Sequence, residues 1–206
     1  MAYVATAIVN RVSTVLQDTG TAIWGTALIT DAVTDGLREI ATYSPRVVLA
    51  TVTPSAGTPD LDISGTAFAD LLYGRREESF EAVEFQVDEE PKKFRNFEVH
   101  QNTLTFDITF EPDGTDAARL YMYQPHILGG SGTTSLDPTM ERLLVDLVAA
   151  RLAIDYSLAV TNTIPKGGAR TFSEYVTWGE KKLDKTIKGL ESLVQPKSNI
   201  RWPQVD

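Results

Sequence analysis

The hydrophobic period of this chain changes twice, and that constrains its fold more than any other feature. From Val4 to Gln17, Val4, Ile8, Val12, Val15 and Leu16 recur on one side of a 3.6-residue period, which predicts an amphipathic helix. Asp18-Thr19-Gly20 supplies turn chemistry that breaks it. A second helix is predicted from about Thr26, with Leu28, Ile29, Ala32, Val33, Leu37 and Ile40 at helical offsets. Gly36 lies in that stripe, where it weakens helix propensity but permits close backbone approach. Pro45 closes the helical stretch, because it disfavours helical geometry in the residue before it.

Beyond Pro45 the period becomes 2. Arg46 to Thr53 is a β-branched run, and Asp60 to Ser64 alternates. Phe80 to Val87 puts Val83, Phe85 and Val87 on one face, with Glu84 and Gln86 on the other. Phe97 and Val99 follow, then a turn at Gln101-Asn102. Leu104, Phe106, Ile108 and Phe110 next alternate with Thr105, Asp107 and Thr109 in the clearest strand pattern of the chain. Pro112-Asp113-Gly114 is a strong turn signal, after which Leu120 to Tyr123 is expected to return as that strand's hairpin partner. Connections this short cannot carry parallel crossovers, so roughly six strands are expected in an antiparallel sandwich or small barrel.

Gly129-Gly130-Ser131-Gly132 reads as a flexible hinge, after which the helical period resumes. Asp137 is placed to cap a helix with Pro138 at its first position. Met140, Leu143, Leu144, Leu147, Ile154 and Leu158 form its stripe to about Val160. After Pro165-Lys166-Gly167-Gly168, Thr171 and Glu174 have capping-box spacing, and Phe172, Tyr175, Leu183, Ile187, Leu190 and Val194 carry a last helix. Gln195 to Asp206 has no periodicity, and it is expected to take fixed structure only against a partner. The fold class is therefore α+β. A bundle of two N-terminal and two C-terminal helices (1–45 and 133–194) takes an inserted antiparallel β domain (46–128), and an extended tail (195–206) follows.

Composition narrows the chemistry. With no cysteine among 206 residues, disulfides, thiolate metal sites and thiol nucleophiles are excluded. No run approaches the ~18 apolar residues of a membrane span. The N-terminus lacks a basic region and a cleavage site, so it is read as mature sequence. His100 and His126 have no second ligand at helical spacing and are expected to be hydrogen-bonded loop histidines. Asp60 and Asp62 lack the glycine and bidentate glutamate of a calcium loop and are expected to face solvent on an edge strand. The glycine run has neither the lysine of a phosphate loop nor the strand-to-helix turn of a serine elbow. No catalytic set, metal site or cofactor site assembles, so the chain is not expected to be an enzyme.

The net charge of −9 argues against general nucleic-acid binding. It is unevenly spread: residues 1–126 hold 9 Lys+Arg against 19 Asp+Glu, and residues 127–206 hold 10 against 9. Glu77, Glu78, Glu81, Glu84, Asp88, Glu89 and Glu90 are expected to form a solvated strand face with a loop at each end. Lys181, Lys182, Lys185 and Lys188 form a basic stripe on the last helix. Lys197 and Arg201 extend it into the tail beside Trp202, and Trp and Arg are frequent interface anchors.

The opening 45 residues, with RVSTVLQDTGTAIWGTALITDAVTDGLREIATYSP, carry a resemblance. Asp18 and Trp24 in a short loop, then Leu28, Ala32, Leu37, Arg38, Glu39 and Ile40 on a helix closed by Pro45, resemble the N-terminal signature of tailed-phage head-to-tail adaptor (connector, head-completion) proteins. The resemblance is to the subgroup with a β domain between its helices. The later strands, Leu120-Tyr121-Met122-Tyr123 and the helix from Met140 to Leu158 follow in the same order. The resemblance implies a structural virion protein at the neck, assembled in the host cytoplasm as a homo-oligomeric ring of about twelve copies. The ring would dock on the portal protein, connect it to tail or nozzle proteins and possible fibres, and line the channel for passing DNA without sequence-specific binding. It further implies portal contacts from the C-terminal part, with Lys181, Lys185, Lys188, Lys197, Arg201 and Trp202 as the candidate residues. The alternatives are another neck or tail-completion (stopper) protein, and a carbohydrate-binding module stacking sugars on Tyr73, Tyr121 and Tyr123.

Overall fold

A computed structural model describes residues 5–18, 23–85, 93–107, 112–128, 134–160 and 170–194. Among them the chain is α+β, with four helices and two antiparallel sheets. It divides into two compact units, one of residues 1–44 and 126–195, the other centred on residues 45–125.

The first unit is helical: α1 (Ala5–Val15), α2 (Thr26–Tyr43), α3 (Pro138–Val160) and α4 (Arg170–Glu191). Helix α1 ends where Gln17 takes a left-handed backbone (φ 58°) and the Asp18 N–H returns to the Ser13 carbonyl at 2.8 Å, satisfying a carbonyl the helix leaves open. Its Ile8 and Val12, and Leu16 just after it, are buried with Ile29, Val33, Leu37 and Ile40 of α2 in one core. Leu28, expected in that stripe, is half exposed near the start of α2. Helix α3 departs from the expected single stripe. Leu144, Val145, Leu147, Val148, Ala149, Ala150, Leu152 and Ala153 are all buried, because α3 packs against α1, α2 and α4 and so meets neighbours around most of its circumference.

Asp137 caps α3 as expected, its Oδ1 accepting from the Thr139 and Met140 N–H groups at 2.7 and 3.0 Å. Two glycines bring α4 close to α3. A Cβ on Gly179 would lie 2.7 Å from Ile154 Cγ1 and 2.9 Å from the Ala150 carbonyl oxygen, and one on Gly189 would lie 3.0 Å from Leu143 Cδ2. Because α4 begins at Arg170, Thr171 lies inside the helix rather than at its cap. Val194, expected in the α4 stripe, is exposed beyond its end.

The second unit holds β1 (Arg46–Val52), β2 (Asp60–Asp62), β3 (Phe80–Phe85), β4 (Lys93–Arg95), β5 (Phe97–His100), β6 (Thr103–Phe106) and β7 (Ala118–Gln124). The sheet orders are β1-β7-β3-β4 and β2-β6-β5. Leu120 to Tyr123 therefore does not form a hairpin with the strand at Leu104. Strand β6 is flanked by β2 and β5, and β7 pairs with β1 and β3 in the other sheet. Alternation marks the buried face of a strand and leaves its partner open. The Gln101-Asn102 turn does join β5 to β6, with Gln101 at φ 53°.

Phe80, Val83 and Phe85 of β3, Leu104 and Phe106 of β6, and Leu120 and Met122 of β7 share one buried cluster. Phe85 meets Phe106 at 5.6 Å between ring centroids. A bulge between Phe80 and Ala82 leaves Glu81 out of register. That extra residue lets Phe80 and Val83, three apart, face the same core.

No helix of the described residues is long and apolar enough to cross a membrane. The glycine loop at 129–132, Pro165 to Gly168, Ile108 to Phe110 and the tail from Gln195 lie outside the described residues.

Candidate partner-binding surfaces

Asp18 and Trp24, which carry the N-terminal resemblance, form a structural node. The loop after α1 turns the buried Asp18 carboxylate inward, and its Oδ2 accepts from the Ile23 and Trp24 N–H groups at 3.1 and 2.9 Å. Trp24 is thereby set into the core, where its Nε1–H donates to the Leu152 carbonyl at 3.3 Å and its ring meets Tyr156 at 5.2 Å and Tyr175 at 6.5 Å. One loop thus ties the start of α2 to both C-terminal helices. Gly36, further along α2, brings that helix close to α3, since a Cβ there would lie 2.8 Å from Leu144 Cδ1.

His126 is buried in the hydrogen-bonded state expected of it. Its Nε2 lies 2.7 Å from the Ser44 carbonyl, which only accepts, so Nε2 carries the proton. Its Nδ1 lies 2.9 Å from Ser135 Oγ, which also accepts from the Ile127 N–H at 3.2 Å. His100 is exposed at the end of β5. Asp60 and Asp62 face solvent on the edge strand β2. The Asp62 carboxyl is held below its ordinary pKa by hydrogen bonds from Ser64, as Asp113 is by Thr115. Among the described residues no three His, Asp or Glu side chains gather as a cation site.

The acidic run does not behave as a single solvated face. Glu77, Glu78 and Glu81 are exposed, whereas Glu84 is fully buried, and Asp88, Glu89 and Glu90 lie outside the described residues. Glu84 sits opposite Arg119 in the β3–β7 ladder. Its Oε2 accepts from Tyr121 Oη at 2.9 Å and from Arg119 Nη1 at 3.4 Å, while the buried Oε1 has no hydrogen-bond partner among the described residues. Period-2 reading places Glu84 on the outer face correctly, but it cannot reveal that cross-strand neighbours cover it.

On α4 the basic stripe divides. Lys182 turns toward α3, with Nζ 2.8 Å from Asp146 Oδ1 and 5.4 Å from the centre of the Trp178 ring. Lys181, Lys185 and Lys188 lie exposed among Glu180, Asp184 and Glu191. Lys188 pairs with Asp184 at 2.7 Å, and this hydrogen bond raises its pKa. The outward surface is therefore mixed in charge. Lys197, Arg201 and Trp202 lie outside the described residues.

A further surface escaped the sequence reading. The outer face of the four-stranded sheet presents Val47 and Leu49, 45% and 55% exposed, in register with Tyr123 and Tyr121. Arg46 to Val52 is apolar at both parities, so its pattern did not show which side chains remain uncovered. Tyr121 is held by Glu84 and packs on Phe94 at 6.2 Å. The Tyr123 hydroxyl is pushed above its ordinary pKa by burial, then by nearby Glu81 and Tyr73. Only Tyr73 of the three candidate stacking tyrosines is exposed.

No protein-family model and no curated protein matches this chain.

Proposed function

We propose that this chain is a head-to-tail adaptor, a non-enzymatic structural component that forms a ring on the portal of a tailed phage and joins it to the tail. The supporting observation is architectural. A four-helix unit receives an antiparallel β unit at one point between α2 and α3, and the residues of the N-terminal signature hold the helical unit together. That is the element order the resemblance implies. Each unit has its own core, which suits a protein that keeps separate contacts to different neighbours. We read the β unit as a sandwich, because residues of both sheets share one cluster.

In this reading Lys181, Lys185 and Lys188, with Lys197, Arg201 and Trp202 of the tail, form the portal-facing end. Tail proteins meet the acidic β unit, and DNA passes without base-specific contact. The carbohydrate-binding alternative has less support, since Tyr121 and Tyr123 are half-buried and Tyr121 is committed to Glu84. Deleting residues 195–206 tests the anchor. Portal rings should capture the full chain and lose at least about tenfold in affinity for the truncated one, roughly what losing one good interface anchor costs. Equal capture would refute the assignment of the tail.

A further inference from the structure

The outer face of the four-stranded sheet brings a tyrosine and a glutamate together twice, once with an arginine and once without. In the first set Tyr121 Oη and Arg119 Nη1 both donate to Glu84 Oε2, at 2.9 and 3.4 Å. The second set lies two residues further along β7, at Tyr123. The Leu72 N–H donates to the Tyr123 carbonyl at 2.9 Å, which docks the following loop beside that strand. Ser79 Oγ then holds the loop, accepting from the Tyr73 N–H at 3.1 Å and donating to the Gly74 carbonyl at 2.7 Å. Tyr73 is thereby kept near Tyr123 with 43% of its surface exposed, and the bulge in β3 sets the exposed Glu81 near the same hydroxyl. Among the described residues no ion pair includes Glu81: Arg119 is taken by Glu84, Arg46 by Gln124, and Arg75 by Asn102 and the Ser64 carbonyl.

Beside this second set the face is apolar, with the exposed Val47 opposite Tyr123 and the exposed Leu49 opposite Tyr121. We propose that this patch takes a segment of a partner protein in which an arginine is flanked by an apolar side chain. The guanidinium bonds the Glu81 carboxylate and lies on the Tyr73 and Tyr123 rings, while the apolar neighbour covers Val47 and Leu49. Arginine suits the site better than lysine, because its planar fork both meets a carboxylate with two N–H groups and stacks on aromatic faces. The Tyr123 hydroxyl, held neutral by burial and by Glu81, leaves its ring available to a cation without a competing charge of its own.

Charge selects this occupant over the others. Residues 45–125 hold 7 Lys+Arg against 15 Asp+Glu, and Glu77 and Glu78, shortly before Glu81, are exposed as well. A second copy laid on this face would bring two acidic units together. A neutral sugar would stack on a tyrosine and leave the Glu81 charge uncompensated. The inference stands on the β unit alone; under the adaptor reading the partner is a tail protein, and failure of the test below leaves that reading's own test untouched.

Selection of a random-peptide library on the full chain tests it. The peptides that enrich should carry an arginine next to an apolar residue. They should bind the variants Glu81→Gln and Tyr73→Ala at least about tenfold more weakly, as the loss of a charge-assisted bond or an aromatic contact requires. Both variants change exposed residues and should melt as the wild type does. Replacing the peptide's arginine by citrulline, which keeps the shape and removes the charge, should weaken binding to the wild type by a similar factor and add little in Glu81→Gln. No enrichment, enrichment of peptides without a base, or binding that ignores Glu81→Gln would each overturn the proposal. So would glycan binding that is lost in Tyr73→Ala and kept in Glu81→Gln, which assigns the face to a sugar, or self-association that is lost in Leu49→Asp, which assigns it to a second copy.

Discussion

Asp18 holds two backbone N–H groups on one carboxylate oxygen, and one of them belongs to the buried Trp24. Removing the acceptor leaves a buried donor without its partner, at about 2 kcal/mol. Asp18→Ala should therefore lower the melting temperature by roughly 4–8 °C for a chain of this size, read by circular dichroism. An unchanged melt would mean that the loop is held by Trp24 packing alone. At this scale the sequence exposes residue types but not their partners. Asp18 and Trp24 stand out in the chain, yet the acceptor of the Trp24 indole Nε1–H is the Leu152 carbonyl, 128 residues away. Glu84 looks like any other acid in its run until Arg119 and Tyr121 are placed beside it.

Helices and strands were legible wherever one face alone is buried. The period-3.6 stripe located α1 and α2, and strict alternation located β6. Reading weakened where apolar residues fall at every phase, in α3 because burial runs around most of the helix and in β1 although its outer Val47 and Leu49 stay exposed. It also missed β4, only three residues long, and assigned β7 the wrong partner. The same scale governs the α3–α4 contact. At Gly179 an added methyl meets the backbone oxygen of Ala150, which cannot turn aside, while at Gly189 it meets the end of a leucine side chain. Gly179→Ala should destabilise by about 1–2 kcal/mol, overpacking exceeding the gain in helix propensity. Gly189→Ala should be near neutral by the same denaturation measurement. Equal effects would contradict the close packing of α4 on α3 at Gly179.

The molecule as a whole is two units joined where the chain leaves and returns. The Ser44 carbonyl is bonded to His126, and the β1–β7 ladder opens with Arg46 opposite Gln124. The ends flanking the insertion are thus already together on the helical side, and closing them costs little chain entropy. A variant joining Ser44 to His126 through a linker of about three residues should melt cooperatively with helical circular dichroism. A non-cooperative melt would show that the helical unit depends on the β unit. The α+β class was readable from the changes of period at Pro45 and after residue 132, while the exposed Val47 and Leu49 required the register of β1 on β7. The adaptor reading is tested most directly by imaging phage particles assembled with this chain and locating it in the density. Twelvefold density against the portal is the predicted result, whereas sixfold density further down the tail, or absence of the chain from the particle, would contradict it.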